Sequence, residues 1–424
     1  MKHTELLDLF KVWGKIGLIS FGGPAGQIAL MHHVIVEEKK WLSEKEYLNA
    51  LSFCMLLPGP EAMQLATYSG WRLHGVIGGL ISGFLFVLPG ATIVLLLAII
   101  YAVYGNTPIL SAFFLGIKAA ILVIVLEALR KVARKSLITK AAWITAILSF
   151  FALFFLNLPF PLVMLFAAAY GFFNPHKAKL RKQQPVLSVP AYQTLKTAAI
   201  WLTLWFLPFV LIFGLGGDAI LGQLWIFFSK LAAITFGGAY SALAYMAQDA
   251  VNANGWLTAE EMIDALGLAE ATPGPLILVT EIVGFLAAAR SDTGFNLWMG
   301  VAGAFITLWV TFVPCFLWIF VGAPYVDWIS SMPRFSNSIS FISAAVVGVI
   351  LNLSLWFSFH VLFSQVDKLY LGFLIFWMPD FTSVDLLALG LVGVAVVAFT
   401  KIKISVFLTL TICSLVGLVF FLLN

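Results

Sequence analysis

Residues Trp13–Pro60 and Phe228–Pro275 align without a gap at a constant offset of 215 positions. Phe21-Gly22-Gly23 falls on Phe236-Gly237-Gly238, Trp41-Leu42 on Trp256-Leu257, and Pro58-Gly59-Pro60 on Pro273-Gly274-Pro275. Lys15, Ile19, Ala29, Met31, Val36, Glu46, Ala50 and Leu51 also recur, making 16 identities in 48 positions, weighted towards rare residue types. A chain built this way folds as two related halves. Each half also carries glycine and proline at points where a continuous helix would have to be interrupted.

What surrounds those interruptions sets the solvent. The 424 residues are 62% hydrophobic and 10% charged, with mean hydropathy +1.02, whereas soluble domains run at about 45–50% and about 25%. No soluble fold hides that much apolar side chain, so lipid must cover much of it. The three cysteines, Cys54, Cys315 and Cys413, lie scattered in apolar segments and form neither a metal motif nor a disulfide framework. The N-terminal stretch carries Glu5 and Asp8 and lacks the pattern of a cleavable signal peptide. The expected fold is an all-α polytopic membrane protein of the plasma (inner) membrane.

Taken in order, Val12–Met31 is long enough to span but is broken at Phe21-Gly22-Gly23-Pro24. Irregular backbone at membrane depth survives only where it is buried in protein or lines a wet cavity. Leu48–Trp71, with Pro58-Gly59-Pro60 inside it, reads as a re-entrant or broken hairpin. Gly75–Tyr104 is a kinked span, and Ile109–Leu129 is a span carrying Lys118 and Glu127, read as ends that snorkel to the surface or as an internal pair. Basic residues from Arg130 to Lys140 place the next loop in the cytoplasm. Ala141–Leu156 and Pro161–Phe173 form a hairpin turning at Asn157, and the polar segment 175–196 is a cytoplasmic linker.

A single further span, Thr197–Leu215, then carries the chain to the other face. The expected domains are therefore 1–174, a linker with one span at 175–218, and 219–424. Charge agrees with an inversion: loop 37–46 holds Lys39, Lys40 and Lys45, whereas its counterpart 252–261 has no Lys or Arg and is acidic. In the second half Leu297–Val321 carries Pro314 against Pro89, the offset now 225. Phe341–Phe363, Leu386–Phe399 and Ile404–Leu423 complete the spans, and Leu369–Asp380, too short to cross, is placed in the interface.

Two inverted-topology repeats with broken helices are the build of secondary transporters, with the substrate site near the bilayer midplane. A restarted helix presents unpaired N–H groups and the positive end of its dipole, which suits an anion. The expected substrate-binding set is Lys15, Phe21, Gly22, Gly23, Pro58, Gly59, Pro60 and Gln64 with Lys230, Phe236, Gly237, Gly238, Thr272, Pro273, Gly274 and Pro275. The two repeat-related lysines would balance a dianion or else snorkel. Gln27, Tyr240, Ser241 and Thr280 add neutral polar groups. Glu61, Glu270 and Glu281 are candidates for proton coupling, with helix capping the competing role. No catalytic nucleophile, phosphate loop or zinc motif stands out, so neither an enzyme, a cofactor nor a metal is expected.

Taken together, Ser20–Pro24, Trp41-Leu42, the run Leu57–Gln64, Phe236–Tyr240 and the run Glu270–Ile277 resemble the chromate ion transporter (CHR) family in its long-chain, two-domain form. Many members carry His shortly after the first Gly-Gly-Pro, where this chain has Gln27. The resemblance implies export of chromate from the cytoplasm, chromate resistance and use of the proton gradient, with sulfate as a related or competing oxyanion. A transporter or channel whose main cargo is sulfate or another anion is the alternative. The implied partners are a tetrahedral oxyanion and the lipid bilayer, not nucleic acid; whether two copies form a homodimer stays open.

Overall fold

The computed structural model describes residues 5–21, 23–105, 107–174, 190–214, 216–236, 239–290, 294–326, 332–372, 374–402 and 404–423. Helix α1 (Leu6–Ile19) stops at Ser20, whose φ −82°, ψ 71° leaves the helical region. Helix α2 (Gly23–His32) restarts with Pro24 in its first turn, where a missing N–H costs nothing, and runs into a π turn, His33–Glu38. Helix α3 (Glu44–Cys54) opens with a capping box: Ser43 Oγ accepts from the Glu46 N–H, and Glu46 Oε2 accepts from the Ser43 N–H. Pro58-Gly59-Pro60 then leads into α4 (Glu61–Tyr104).

The 44 residues of α4 are not one rod. His74 (φ −136°, ψ 27°) and Gly75 (φ 61°) reverse the chain, and a Cβ on Gly70 would lie 2.2 Å from the Gly78 carbonyl oxygen. On a straight helix eight residues span about 12 Å, so 61–73 and 76–104 are two arms in backbone contact. Glycine at 70 and 78 is what lets them close.

Helices α5 (Pro108–Ser136), α6 (Lys140–Phe154) and α7 (Phe160–Phe173) follow, with Asn157 at φ 46° in the α6–α7 turn. The basic residues Arg130–Lys135 thus end a helix rather than fill a loop. Helix α8 (Ala191–Gly214) contains the last residues assigned above to the linker, while 175–189 lie outside the described residues. Helix α9 (Ala219–Ile234) breaks at Thr235, and α10 (Ala239–Met246) restarts and passes into a second π turn, Ala247–Ala253. Helix α11 (Ala259–Ala271) starts on a second capping box, Thr258 with Glu261. The recurrence of Glu46 at Glu261 is therefore structural.

After Pro273-Gly274-Pro275 a 3₁₀ turn (Leu276–Leu278) opens α12 (Val279–Ala289), and α13 (Leu297–Gly322) packs back along it. A Cβ on Gly303 would lie 2.3 Å from the Gly284 carbonyl oxygen, the counterpart of the Gly70–Gly78 closure. Helix α14 (Pro333–Leu362) begins earlier than the expected span. Leu369–Asp380 is part of an antiparallel hairpin, β1 (Val366–Leu371) with β2 (Leu374–Pro379), pairing Val366 with Pro379 and Leu371 with Leu374. Helices α15 (Leu386–Val396) and α16 (Val406–Leu423) end the chain. Six of the described helices are long and apolar enough to cross a membrane, and the chain is an all-α polytopic membrane protein apart from this one hairpin.

Contacts group these elements into two compact units, each drawn from both halves of the sequence. The first takes Met1–Ile99, Pro175–Ala242 and Thr272–Ser336; the second takes Ile100–Asn174, Leu243–Ala271 and Asn337–Asn424. Within the first, α13 packs against α8, α9 and α12; within the second, α5 is packed by α11, α15 and α16.

Candidate functional site

The two helix breaks and the two Pro-Gly-Pro loops meet inside the first unit, and they meet crosswise. The Gly274 N–H donates to the Ser20 carbonyl oxygen at 3.0 Å, so the second loop closes on the first break. The Gly59 N–H donates to the Thr235 carbonyl oxygen at 2.9 Å, so the first loop closes on the second break. Ser20 and Thr235, like Gly59 and Gly274, are related by the 215 offset. A third pair repeats the exchange at the 225 offset. Gly90 approaches Gly274, where a Cβ would be 3.3 Å from the Gly90 Cα, and Cys315 approaches Gly59, where a Cβ would be 3.0 Å from its Sγ. Each contact is answered by its mirror.

Backbone torsions make both loops glycine positions. Gly59 has φ 109° and Gly274 has φ 97°, a region that side-chain-bearing residues avoid. The flanking prolines have no N–H to leave unsatisfied, so each loop offers one amide, its glycine, and that amide makes the crosswise bond.

A glutamine locks each clasp. Gln27 Nε2 donates to the carbonyl oxygens of both Ser20 (3.3 Å) and Gly274, and Gln64 Nε2 donates to the Pro58 carbonyl oxygen at 2.7 Å. These carbonyl contacts fix which end of each amide is nitrogen. The Gln27 and Gln64 Oε1 atoms then have no hydrogen-bond partner among the described residues, and neither does Glu281 Oε2. All three side chains are sealed, at 0, 0 and 1% exposure. In the same unit Ser20, Thr67, Ser69, Thr235, Ser241, Thr272, Thr280 and Thr307 are also buried. Unpaired buried polar atoms cost about 1–3 kcal/mol each; the two glutamine oxygens are acceptors, so a donor such as water would satisfy them and an oxyanion would not.

The remaining expected residues separate. Pro58, Pro60, Thr272, Pro273 and Pro275 are buried at the clasps; Gly23 (φ 68°), Phe236, Tyr240 and Glu61 are half-buried. Phe21 is 40% exposed. Lys15 and Lys230 lie on the exposed sides of α1 and α9, in matching positions. Glu270 is buried near the end of α11, in the second unit. Gly22, Gly237 and Gly238 lie outside the described residues. Sequence reasoning missed Ser20, Thr235, Gly90 and Cys315. The last two immediately follow the repeat-related Pro89 and Pro314, and that adjacency was the available signal.

Comparison with known proteins agrees with this organisation. A family model described as chromate transporter matches residues 7–172 and again 222–418, once over each half. A probable chromate transport protein of Synechococcus elongatus is 28% identical over 352 residues, covering 82% of this chain and 83% of that protein. The chromate transport protein of Cupriavidus metallidurans is 27% identical over 347 residues, covering 81% and 80%, and that of Pseudomonas aeruginosa 28% over 351, covering 81% and 79%. No solved structure matches the chain.

Proposed function

The chain belongs to the chromate transporter family, and from that premise we propose that it is a secondary active transporter exporting chromate across the plasma membrane, driven by the proton gradient. The observation that carries this reading is the crosswise pair of clasps, Gly59 to Thr235 and Gly274 to Ser20, set in a buried polar core.

Reciprocal contacts of this kind arise when the operation relating the repeats is its own inverse, which is a twofold axis. Lys39, Lys40 and Lys45 in one loop, against none in loop 252–261, favour an axis lying in the membrane plane, so that the repeats are inverted. Alternating access needs two gates exchanged by that axis, and the two clasps meet the requirement. Opening a clasp frees one glycine N–H, with no side chain in the way, to donate to an oxyanion oxygen. Phe21, Gly23 and Phe236 flank the breaks in this scheme. Lys15 and Lys230, exposed and repeat-related, raise the local concentration of a dianion.

Purified protein in liposomes provides the test. Chromate uptake should exceed that of empty liposomes, respond to an imposed pH gradient, and be competed by sulfate to a degree that ranks the two tetrahedral dianions. Flux unaffected by the pH gradient would make the protein a passive channel, and faster uptake of sulfate than of chromate would reassign the cargo.

A further inference from the structure

The second unit holds a buried charge pair that the anion site does not use. Asp264, on α11, has a side chain 8% exposed, and Lys118, on α5, is 15% exposed; Lys118 Nζ lies 3.5 Å from Asp264 Oδ1. Tyr101, at the end of α4, donates its hydroxyl to Asp264 Oδ2 at 2.9 Å. Lys118 stands ten residues into the 29-residue α5, about 15 Å from one end and about 27 Å from the other. Its ammonium cannot reach either end of the helix, so Asp264 is its counter-charge.

We propose that Asp264, held by Lys118 and Tyr101, is the proton-binding group of the transport cycle; this rests on the proton-coupled reading above. The step is a simple transfer. A proton from water bonds to an Asp264 carboxylate oxygen, the carboxyl group becomes neutral, and Lys118 keeps its charge without a partner. Removing one member of a buried pair costs about 3–5 kcal/mol, so the protonated state favours an arrangement in which α5 and α11 part or admit water. Gly267 lets the two helices meet closely beside the pair: a Cβ there would lie 2.1 Å from Cγ2 of Ile117, the neighbour of Lys118.

Connectivity links this pair to the anion site. Helix α11 ends at Ala271 and runs without a spacer into Thr272-Pro273-Gly274, the loop that closes the first clasp. The border between the two compact units falls at that joint, between Ala271 and Thr272. Asp264 is thus ten residues before the glycine that donates to Ser20, along one uninterrupted stretch of chain. Few other ionisable groups come near. Glu260 lies one turn earlier on α11, the π turn packed against α11 carries Asp249, and α16 contributes only the thiol of Cys413.

The test separates coupling from transport and from folding. In liposomes, Asp264→Asn should still exchange internal for external chromate at a rate above that of empty liposomes. It should also lose the accumulation that a pH gradient drives, which is at most about tenfold per pH unit for each coupled proton. Asp264→Glu should restore part of it. Infrared difference spectra between acid and alkaline buffer should show a buried carboxylic acid band in the wild type that is missing from Asp264→Asn. Should Asp264→Asn fail to fold, the neutral pair Asp264→Asn/Lys118→Gln takes its place. Gradient-driven accumulation that survives in either variant overturns the proposal. So does a folded variant that loses exchange and accumulation equally, which marks a structural ion pair, and so does an unchanged infrared band. A wild-type protein that exchanges no chromate refutes the transport reading instead, and the infrared band then decides the proton site alone.

Discussion

Alanine at Gly59 or Gly274 probes the clasps with the smallest available change. The native φ of 109° or 97° lies outside the regions open to an L-residue, and holding alanine there costs about 1–3 kcal/mol. Contacts add to this. At Gly59 the new Cβ would meet Cys315 Sγ at 3.0 Å and Gln64 Nε2 at 3.2 Å, and that glutamine is already committed to the Pro58 carbonyl. At Gly274 the nearest atom is the free end of Leu278 at 3.0 Å, which can turn aside, with the Gly90 backbone at 3.3 Å. Gly59→Ala should therefore be the worse of the two, at about 3 kcal/mol, counting about 1 kcal/mol for overpacking. Gly23→Ala is the internal control: its φ is 68°, but no atom lies within 4 Å of the new Cβ, so about 1–2 kcal/mol is expected. Scaled to 424 residues, 3 kcal/mol lowers the melting midpoint in detergent by about 3 °C. Liposome uptake should fall far more than this modest destabilisation explains, because under the proposed mechanism the substitution deforms a gate. Wild-type uptake and melting in Gly59→Ala would refute both the torsion and the role given to the loop.

Gln27→Leu removes the donor shared by Ser20 and Gly274 and leaves a buried carbonyl short of a partner, a loss of about 1–3 kcal/mol with uptake strongly reduced; unchanged uptake would take Gln27 out of the clasp. Lys15→Ala and Lys230→Ala should each raise the KM for chromate by about tenfold, with Lys→Arg near wild type and the effect shrinking at high salt. Unchanged KM in both alanine variants removes the lysines from the mechanism. Ser43→Ala should lower stability by about 1 kcal/mol without altering substrate selectivity, as should Thr258→Ala, read by thermal unfolding. The Ser43 backbone N–H and hydroxyl, with Arg72, hold the Glu46 carboxyl below the usual range. That contribution is complete above the unfolded pKa and disappears as pH falls through the folded one, so Glu46→Gln should matter at neutral pH and not in strong acid.

The breaks and the loops were legible because each is a local rule written twice: glycine where φ is positive, proline where an N–H is dispensable. The turn at His74-Gly75 also fell between two expected segments, Leu48–Trp71 and Gly75–Tyr104. Long-range partners were not legible. Lys118 and Glu127, nine residues apart on one helix, were read as snorkelling ends or as an internal pair, but Glu127 pairs with Arg130, one turn on, and Lys118 reaches across to Asp264. Nine residues place two side chains on one helix about 14 Å apart along the axis, too far for a pair, so the helical repeat alone could have excluded it. The β-hairpin was hidden for another reason. Its aromatic and aliphatic residues, from Val366 to Pro379, read as a short apolar helix unless Gly372, at φ 63°, is taken as the turn.

The exchange of partners also explains why an offset found in the sequence is not a boundary found in the structure. If each half folded on its own, Pro-Gly-Pro would close on the Phe-Gly-Gly of its own copy, and contacts would cluster by repeat. Instead each loop closes on the other copy's break, and the first unit needs residues from both halves of the chain. A half expressed alone would present one loop amide and one break carbonyl with no mate, and would have to find them in a second molecule. Interlocking of this kind ties the two clasps together. The same α13 that carries Cys315 to the first loop packs on α12, which follows the second loop, so neither clasp can move without passing strain to the other. Under the alternating access proposed above, that shared packing is what would set one clasp against the other.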